Sequence, residues 1–553
     1  MLSSDPILIH NARVFTADPA RPTAEAVGLQ GNRIRFVGSN AEGEQWRTAT
    51  TQVIDAGQAS LTPGIVDSHY HLFIASMELA LVQLWDAQSL EQVSALVRAY
   101  AAAHPDEESV SCVQFRYEIL PPGERLTRQQ LDAMLPDRPL LIMGYDHHTA
   151  WANTRALEIA GTLYGAPTGP NSEILLDSAG IATGELVEPA AYAVVLRHFE
   201  AWGRTVKGLI NETAGTPKLN PTRERKWLHE GLKLSASYGI TSVHNMDGDA
   251  EQAAFYATLE AADELTVRMS IPYSLFPSTT VDDLAEAVEM ARRYQSAKLR
   301  SGRVKLFMDG VMESWTALML DEYADRPGWF GAALYSAEHF NWLARECDAR
   351  GLQITVHAIG DGAVRRTLDG YELAQTANGL RDSRHRIEHI ECVHPDDLPR
   401  FARLGVVASM QPYHSPITYP QTHELFPARV GAARWNRSFA WQNVRGAGAH
   451  LAFGSDWPVV TPDPMIGMAA ALNRQPWGPD AYDHRQSLAD TIISYTREGA
   501  YAEFQEHERG QIKVGMLADL VLFSADLFAT PPEDIAKVRP VLTICDGRVT
   551  YEA

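Results

Sequence analysis

Apolar and polar positions along this chain follow two different rhythms. Through the middle of the sequence, eight short runs rich in β-branched and other apolar residues recur: LTPGIVDSH, GITSVHN, VRMSIPYSLF, GRVKLFMDG, LQITVHAIG, HRIEHI, VVASMQP and LAFGSDWP. Most are followed by a stretch whose apolar positions return at helical spacing. Strand then helix, repeated eight times, predicts an α/β fold of the parallel (β/α)8 TIM-barrel type. The two ends read differently. ILIHNARVF, AVGLQGNRIRFVG and TQVIDA near the start, and GQIKVGMLADLVLF and VLTICDGRVTYEA at the end, are short β-like runs punctuated by turns at Gly31-Asn32 and Asp546-Gly547.

These patterns predict three parts. Residues 1–60 and 508–553 form one composite β-sandwich domain, and residues 61–507 form the barrel. The segment from about 75 to 222, between the first and second runs, carries strands of its own (VSCVQFRY, PLLIMGYDHH) and Gly/Pro-rich loops. A connection of that length must fold on itself, so it reads as an inserted, lid-like subdomain.

A barrel enzyme builds its site at the C-terminal ends of its strands, and those ends carry chemistry here. The first run ends in Asp67-Ser68-His69-Tyr70-His71, where two histidines two apart on an extended strand share a face. The fourth run carries Lys305, the fifth ends near His357, the sixth near His389, and the eighth at Asp456. A lone histidine is usually an ordinary core or surface residue, and HxH by itself is a weak signal. Joint placement on one rim points instead to a divalent metal, with zinc the first expectation for imidazoles plus a carboxylate, and manganese or cobalt as alternatives. His104, His198, His229, His394, His450, His484 and His507 lie in helical or loop stretches and are read as non-ligands.

Composition narrows the class further. With 553 residues and 45% hydrophobic positions, the chain suits a soluble barrel with attachments. Forty-eight basic against 69 acidic residues give a formal charge of −21 with no basic run, so nucleic acid and anionic membranes are not expected as partners. The expected partner is a small-molecule substrate, with self-association, if any, as a homodimer. Cys112, Cys347, Cys392 and Cys545 are scattered without a CxxC, which suits reduced thiols. The N-terminus lacks the basic start and apolar core of a secretion signal, so a cytoplasmic location is expected.

Taken in order, PGIVDSHYH, KLFMDG, VHAIGDGA, RIEH and GSDWPV resemble the amidohydrolase superfamily, in its family-3 branch, which includes N-substituted formamide deformylases. The likeness extends to the terminal β-domain and to YDHHTAWANTRAL in the insertion. It implies one or two metals: His69 and His71 on one, His357 and His389 on the second. Lys305 would be the bridging ligand, carboxylated to a carbamate, and Asp456 both a ligand and the group that takes the proton from the attacking water. Hydrolysis of a C–N bond in an amide or N-substituted formamide is then the implied reaction. His148 and His244 are candidates for holding the oxyanion or substrate, and Trp151, Trp315, Tyr413 and Trp457 for lining an apolar pocket. Asp309 and Glu313 are candidates for supporting the ligands. The alternatives are a deaminase, cyclic-amide hydrolase or phosphoesterase on the same metal barrel, or a non-catalytic binding or regulatory protein. The last is disfavoured by the intact ligand set.

Overall fold

A computed structural model describes residues 5–121, 123–169, 172–205, 220–415, 425–477 and 482–553. Eight parallel strands form a single sheet in chain order: β1 (Ile65–Tyr70), β2 (Ile240–Asn245), β3 (Arg268–Ser274), β4 (Leu299–Phe307), β5 (Gln353–Ala358), β6 (Arg386–His389), β7 (Val407–Met410) and β8 (Leu451–Phe453). The strands are almost entirely buried on both faces, which is why they read as continuous apolar runs rather than as alternation. Amphipathic helices cover the outside. The helix after β3, Val281–Arg293, is typical: Thr280 and Asp283 form a capping box, and acidic residues open it while Arg292 and Arg293 close it. Leu284, Ala287 and Met290 face the core.

The barrel closes between β8 and β1, but the joining hydrogen bonds come from the chain just beyond β8. Asp456 N donates to His69 O at 2.7 Å, and His71 N donates to Trp457 O at 3.0 Å. The buried Asp67 carboxylate clamps this seam, accepting from Ser455 N at 2.9 Å and His69 N at 3.2 Å. Burial drives that carboxyl up to about 7, against the pull of those same amides.

Both chain termini contribute to a β-sandwich. Its four-stranded sheet comes from residues 7–55, and its six-stranded sheet combines strands from 13–63 with Leu520–Phe523, Pro540–Cys545 and Arg548–Glu552. Ile9, Val27, Leu61, Leu520 and Ile544 pack between them. The run starting at residue 61 therefore serves two bodies: Ser60–Pro63 pairs in the sandwich, and Ile65 onward enters the barrel. Gly64 makes the transition, where a Cβ would collide with Thr241. One stretch departs from its reading. GQIKVGMLADLVLF is a strand only from Leu520, because residues 515–518 instead bond along one hairpin of the first sheet, through Gly515 N to Ile34 O, Ile34 N to Met516 O and Ala518 N to Asn32 O.

The insertion after β1 is a lobe built on a six-stranded mixed sheet running from Val82–Gln83 to Ala182–Val187. Separate apolar clusters pack around Leu141 and Leu186 and around Cys112 and Ile142. The segment 206–219, near the end of the expected insertion, lies outside the described residues. The antiparallel pair Leu140–Gly144 and Thr149–Ala152 turns at Tyr145–His148, and that turn lies over the barrel mouth. Among the described residues, no helix is long and apolar enough to cross a membrane.

The seam yields a first prediction. A Cβ at Gly454 would collide with His69 N and reach within 2.8 Å of Asp67 Oδ1. Gly454→Ala should therefore force the seam apart and cost about 1–3 kcal/mol of stability. Chemical denaturation of the variant beside the wild type measures this; an unchanged midpoint would show that β1 and the chain beyond β8 can separate freely.

Candidate metal centre

At the C-terminal rim of the barrel, five imidazoles meet around the Asp456 carboxylate. His69 Nε2 and His71 Nε2 lie 3.4 and 3.3 Å from Asp456 Oδ1, and one donor atom from each of the three lies within 4.8 Å of the others. On the other side of Asp456, His389 Nδ1 is 3.8 Å from Oδ2, and one donor atom each from His389, His414 and Asp456 also lies within 4.8 Å of the others. The His357 ring stands 4.4 Å from that of His389. His389 (φ 72°) and Asp456 (φ 64°) both hold left-handed backbone conformations that non-glycine residues rarely adopt, a form of strain that gathers at functional sites.

The residues fit a metal. Four of the five imidazoles have one nitrogen committed to a neighbour, which fixes the ring's orientation and leaves the other nitrogen available. His69 Nδ1 donates to Glu388 at 2.7 Å, His71 Nδ1 to Asp247 at 2.9 Å, His389 Nδ1 to Gln411 Oε1 at 2.9 Å, and His357 Nε2 to the Gly310 carbonyl at 3.1 Å. Supporting partners of this kind are the usual second layer of a metal site. Burial pushes His69, His357 and His389 well below the usual imidazole range, so they are neutral and able to ligate. His71 differs, because burial is outweighed by Asp247 and Asp456, which lift it to about 9 in the protein alone. Burial alone would raise the Asp456 carboxyl, but His69, His71 and His414 around it hold it well below the ordinary carboxylate range.

Lys305 is 1% exposed, and its Nζ has no hydrogen-bond partner among the described residues. It stands 4.6 Å from the centre of the Phe307 ring, and its charge is felt by His69, His357 and His389. Burial draws the ammonium down to about 8, with Glu388 and Asp456 resisting. A buried, unpaired amine among metal-ligand donors is costly unless it is neutral or modified.

Above the centre lies a cavity of about 480 Å³. Its walls are mostly apolar, including Ile74, Met143, Tyr192, Phe276, Phe307 and Tyr335, and no lysine or arginine is among the described lining residues. The insertion contributes His147 and His148. His148 Nδ1 donates to Glu188 at 2.7 Å, and Glu188 in turn accepts from Thr316 Oγ1 at 2.7 Å. Burial opposes a charge on His148, but Glu188, with Asp146 nearby, outweighs it and lifts the imidazole to about 9, leaving a cationic donor facing the cavity.

Other candidates lie elsewhere. His244 is fully buried beneath the rim, 2.7 Å from the Arg386 guanidinium and 3.0 Å from Glu503, because its position on β2 points into the barrel interior. None of the four candidate aromatics lines the cavity. Trp151 packs on Phe115 and Tyr117 inside the lobe, and Trp457 packs on Tyr70. Trp315 lies under the Arg429 guanidinium and donates to Asp325, while Tyr413 clusters with Tyr145 and Val460. Asp309 ties together the loops after β4 and β5, accepting from Leu318, Ile359 and Gly360 amides, and burial raises it to about 7. Glu313 lines the cavity. Sequence reasoning passed over His414, although it follows β7 directly in SMQPYH and the rule of reading strand ends would have found it. Gln411 and Asp247 also follow β7 and β2, but nothing in the sequence pairs them, or Glu388 and Glu188, with particular imidazoles, since those roles rest on contacts between segments.

A barrel with this rim of histidines, a buried lysine and an aspartate at the last strand defines a class, and the chain belongs to the amidohydrolase family, whose model matches residues 52–551. Within it, the chain is 28% identical over 562 residues to Protein LONG AFTER FAR-RED 3 of Arabidopsis thaliana, covering 99% of this chain and 91% of the relative. It is 24% identical to an N-substituted formamide deformylase of Arthrobacter pascens, covering 99% and 98%. Its fold is similar to that of an uncharacterized metal-dependent hydrolase from Pyrococcus horikoshii, with a TM-score of 0.75, 23% identity and coverage of 96% and 99%. It is also similar to a zinc complex of atrazine chlorohydrolase from Arthrobacter aurescens, with a TM-score of 0.55, 16% identity and coverage of 99% and 95%.

The supporting layer can be tested apart from the ligands. Asp247→Ala removes the acceptor that orients His71, and loss of such a partner typically lowers metal affinity about 10–100-fold. Titration with a competing chelator should show that drop with the fold retained. Wild-type affinity in the variant would mean that His71 needs no such support.

Proposed function

We propose that this protein is a metal-dependent hydrolase that cleaves the C–N bond of a small, uncharged amide or N-substituted formamide carrying an apolar group on nitrogen. The observation that carries the reading is the convergence of His69, His71 and Asp456 at the floor of an apolar cavity. His69, His71 and Asp456 would hold one divalent ion, and His357, His389 and a carboxylated Lys305 would surround a second position. Zinc is the first expectation, with manganese or cobalt able to replace it. A bound divalent ion supplies Lewis acidity and lowers the pKa of water toward 7.

The chain's own groups divide the remaining work. Asp456, held ionised by its imidazole neighbours, takes the proton of the attacking water at a carboxylate oxygen and returns it to the departing nitrogen. An amine leaves only when protonated, so this return is needed. His148, charged and held by Glu188, donates a hydrogen bond toward the carbonyl oxygen as negative charge develops there. The apolar walls hold the nitrogen substituent and exclude water. The lack of lysine and arginine in the described lining favours a neutral amide over a phosphoester, whose anionic oxygens are normally met by such cations.

The direct test is a panel of N-substituted formamides, N-acyl amines, cyclic imides and phosphoesters, with released amine, acid or phosphate measured before and after chelation. Amine release from formamides or amides that vanishes on chelation and returns with zinc, manganese or cobalt is the expected result. Undiminished turnover by metal-free protein would remove the metal from the reaction.

Asp456→Asn separates proton transfer from folding. The amide is nearly isosteric and its oxygen can still ligate, but it does not accept a proton at neutral pH. General acid–base assistance is worth about 10²–10⁴ in rate, so kcat should fall by that much with KM changing less. Near-native kcat with a lowered Tm would instead make Asp456 an anchor of the barrel seam.

A further inference from the structure

His414 has no part in the proposal above, yet it occupies the same rim. It ends the short turn Pro412–His414 that follows β7, and its side chain is 12% exposed. Its Nδ1 lies 4.0 Å from Glu391 Oε1, and its Nε2 is buried without a hydrogen-bond partner among the described residues. The same is true of His389 Nε2, whose ring lies nearly parallel to that of His414, at 12° and with 6.3 Å between centroids. Leaving two buried imidazole nitrogens unsatisfied side by side is unfavourable, unless something else supplies their partner.

Asp456 is divided between two neighbourhoods. Oδ1 faces His69 and His71 at 3.4 and 3.3 Å, whereas Oδ2 is the oxygen nearer His389, at 3.8 Å. One donor atom each from His389, His414 and Asp456 lies within 4.8 Å of the others, a spacing that one ion can span. His357 belongs to neither group.

We propose that His414 is a metal ligand: with His389 and Asp456 it holds a second divalent cation, and Asp456 bridges this ion and the one on His69 and His71. The inference rests on the first ion of the reading above, held by His69, His71 and Asp456, and replaces its second position, on His357, His389 and Lys305, with one toward the β7 side of the rim that Asp456 bridges. Two imidazoles and a carboxylate suit zinc or cobalt better than magnesium or calcium, which prefer all-oxygen sites.

The test is metal stoichiometry and affinity of metal-free protein titrated with Co²⁺, read by elemental analysis and by the visible and paramagnetic-resonance spectra of the bound ion. His414→Ala and the larger His414→Gln are compared with wild type, and circular dichroism checks that each is folded. Wild type should bind two Co²⁺ that are magnetically coupled. The variants should keep one ion with its affinity unchanged and lose the coupling. Their affinity for the second ion should fall by more than the about 10–100-fold typical of losing an outer-layer partner. Two coupled ions of wild-type affinity in both variants would overturn the assignment of His414. A wild type that binds one ion, undisturbed in the variants, would overturn it too while leaving the single-metal reading intact. A wild type that binds no Co²⁺ would overturn both.

Discussion

The rim depends on one ion pair hidden inside the barrel. Arg386 is fully buried on β6, and its guanidinium donates to Glu388 Oε1 at 2.9 Å, to the Ser68 carbonyl at 2.6 Å and to Ser409 Oγ at 3.0 Å, with His244 Nδ1 at 2.7 Å. Those partners stand on β6, β1, β7 and β2, so a single side chain holds four strands to a common level. Glu388 then passes that placement to the metal centre through His69 Nδ1. A buried ion pair contributes little net stability, because desolvation offsets most of the attraction. Its use here is positional: a planar guanidinium with all three nitrogens engaged tolerates little displacement of the strands around it.

The seam between β1 and the chain beyond β8 adds a second constraint. His69 and His71 approach from one side of the closure and Asp456 from the other, and the hydrogen bonds that close the barrel are those of these same residues. The geometry of these three side chains and the closure of the barrel are therefore one problem with one solution. Asp67 and Gly454 answer it, the first by accepting two backbone amides and the second by having no Cβ. The strained backbone of His389 and Asp456 fits the same picture, in which packing outweighs local preference to aim a side chain at the rim.

The inserted lobe supplies much of the wall of the cavity above the rim. It brings the His148–Glu188 pair over the barrel mouth together with apolar wall residues such as Met143 and Tyr192, so the rim of histidines is enclosed in a largely apolar chamber. Trp151 shows how easily that role is misassigned. It lies three residues from His148 in a segment dense with chemistry, but its side chain enters the lobe's own core. On a strand, successive side chains go to opposite faces, and composition does not say which face meets the cavity.

Much of this was legible in the sequence. Parallel strands buried on both sides must be apolar throughout, so the eight runs mark the barrel, and Asp546-Gly547, both with positive φ, turns the terminal hairpin as its residue types require. His69, His71, His357, His389 and Asp456 were visible because strand order fixes which residues reach the rim, and His414 could have been found by the same logic. The rest was settled only by the tertiary structure. Which residues orient the imidazoles, whether His244 faces the cavity or the barrel interior, and which aromatics form the wall all depend on contacts between segments far apart in the chain. Local periodicity carries the spacing of a strand or helix, but not the rotation and depth at which distant elements meet.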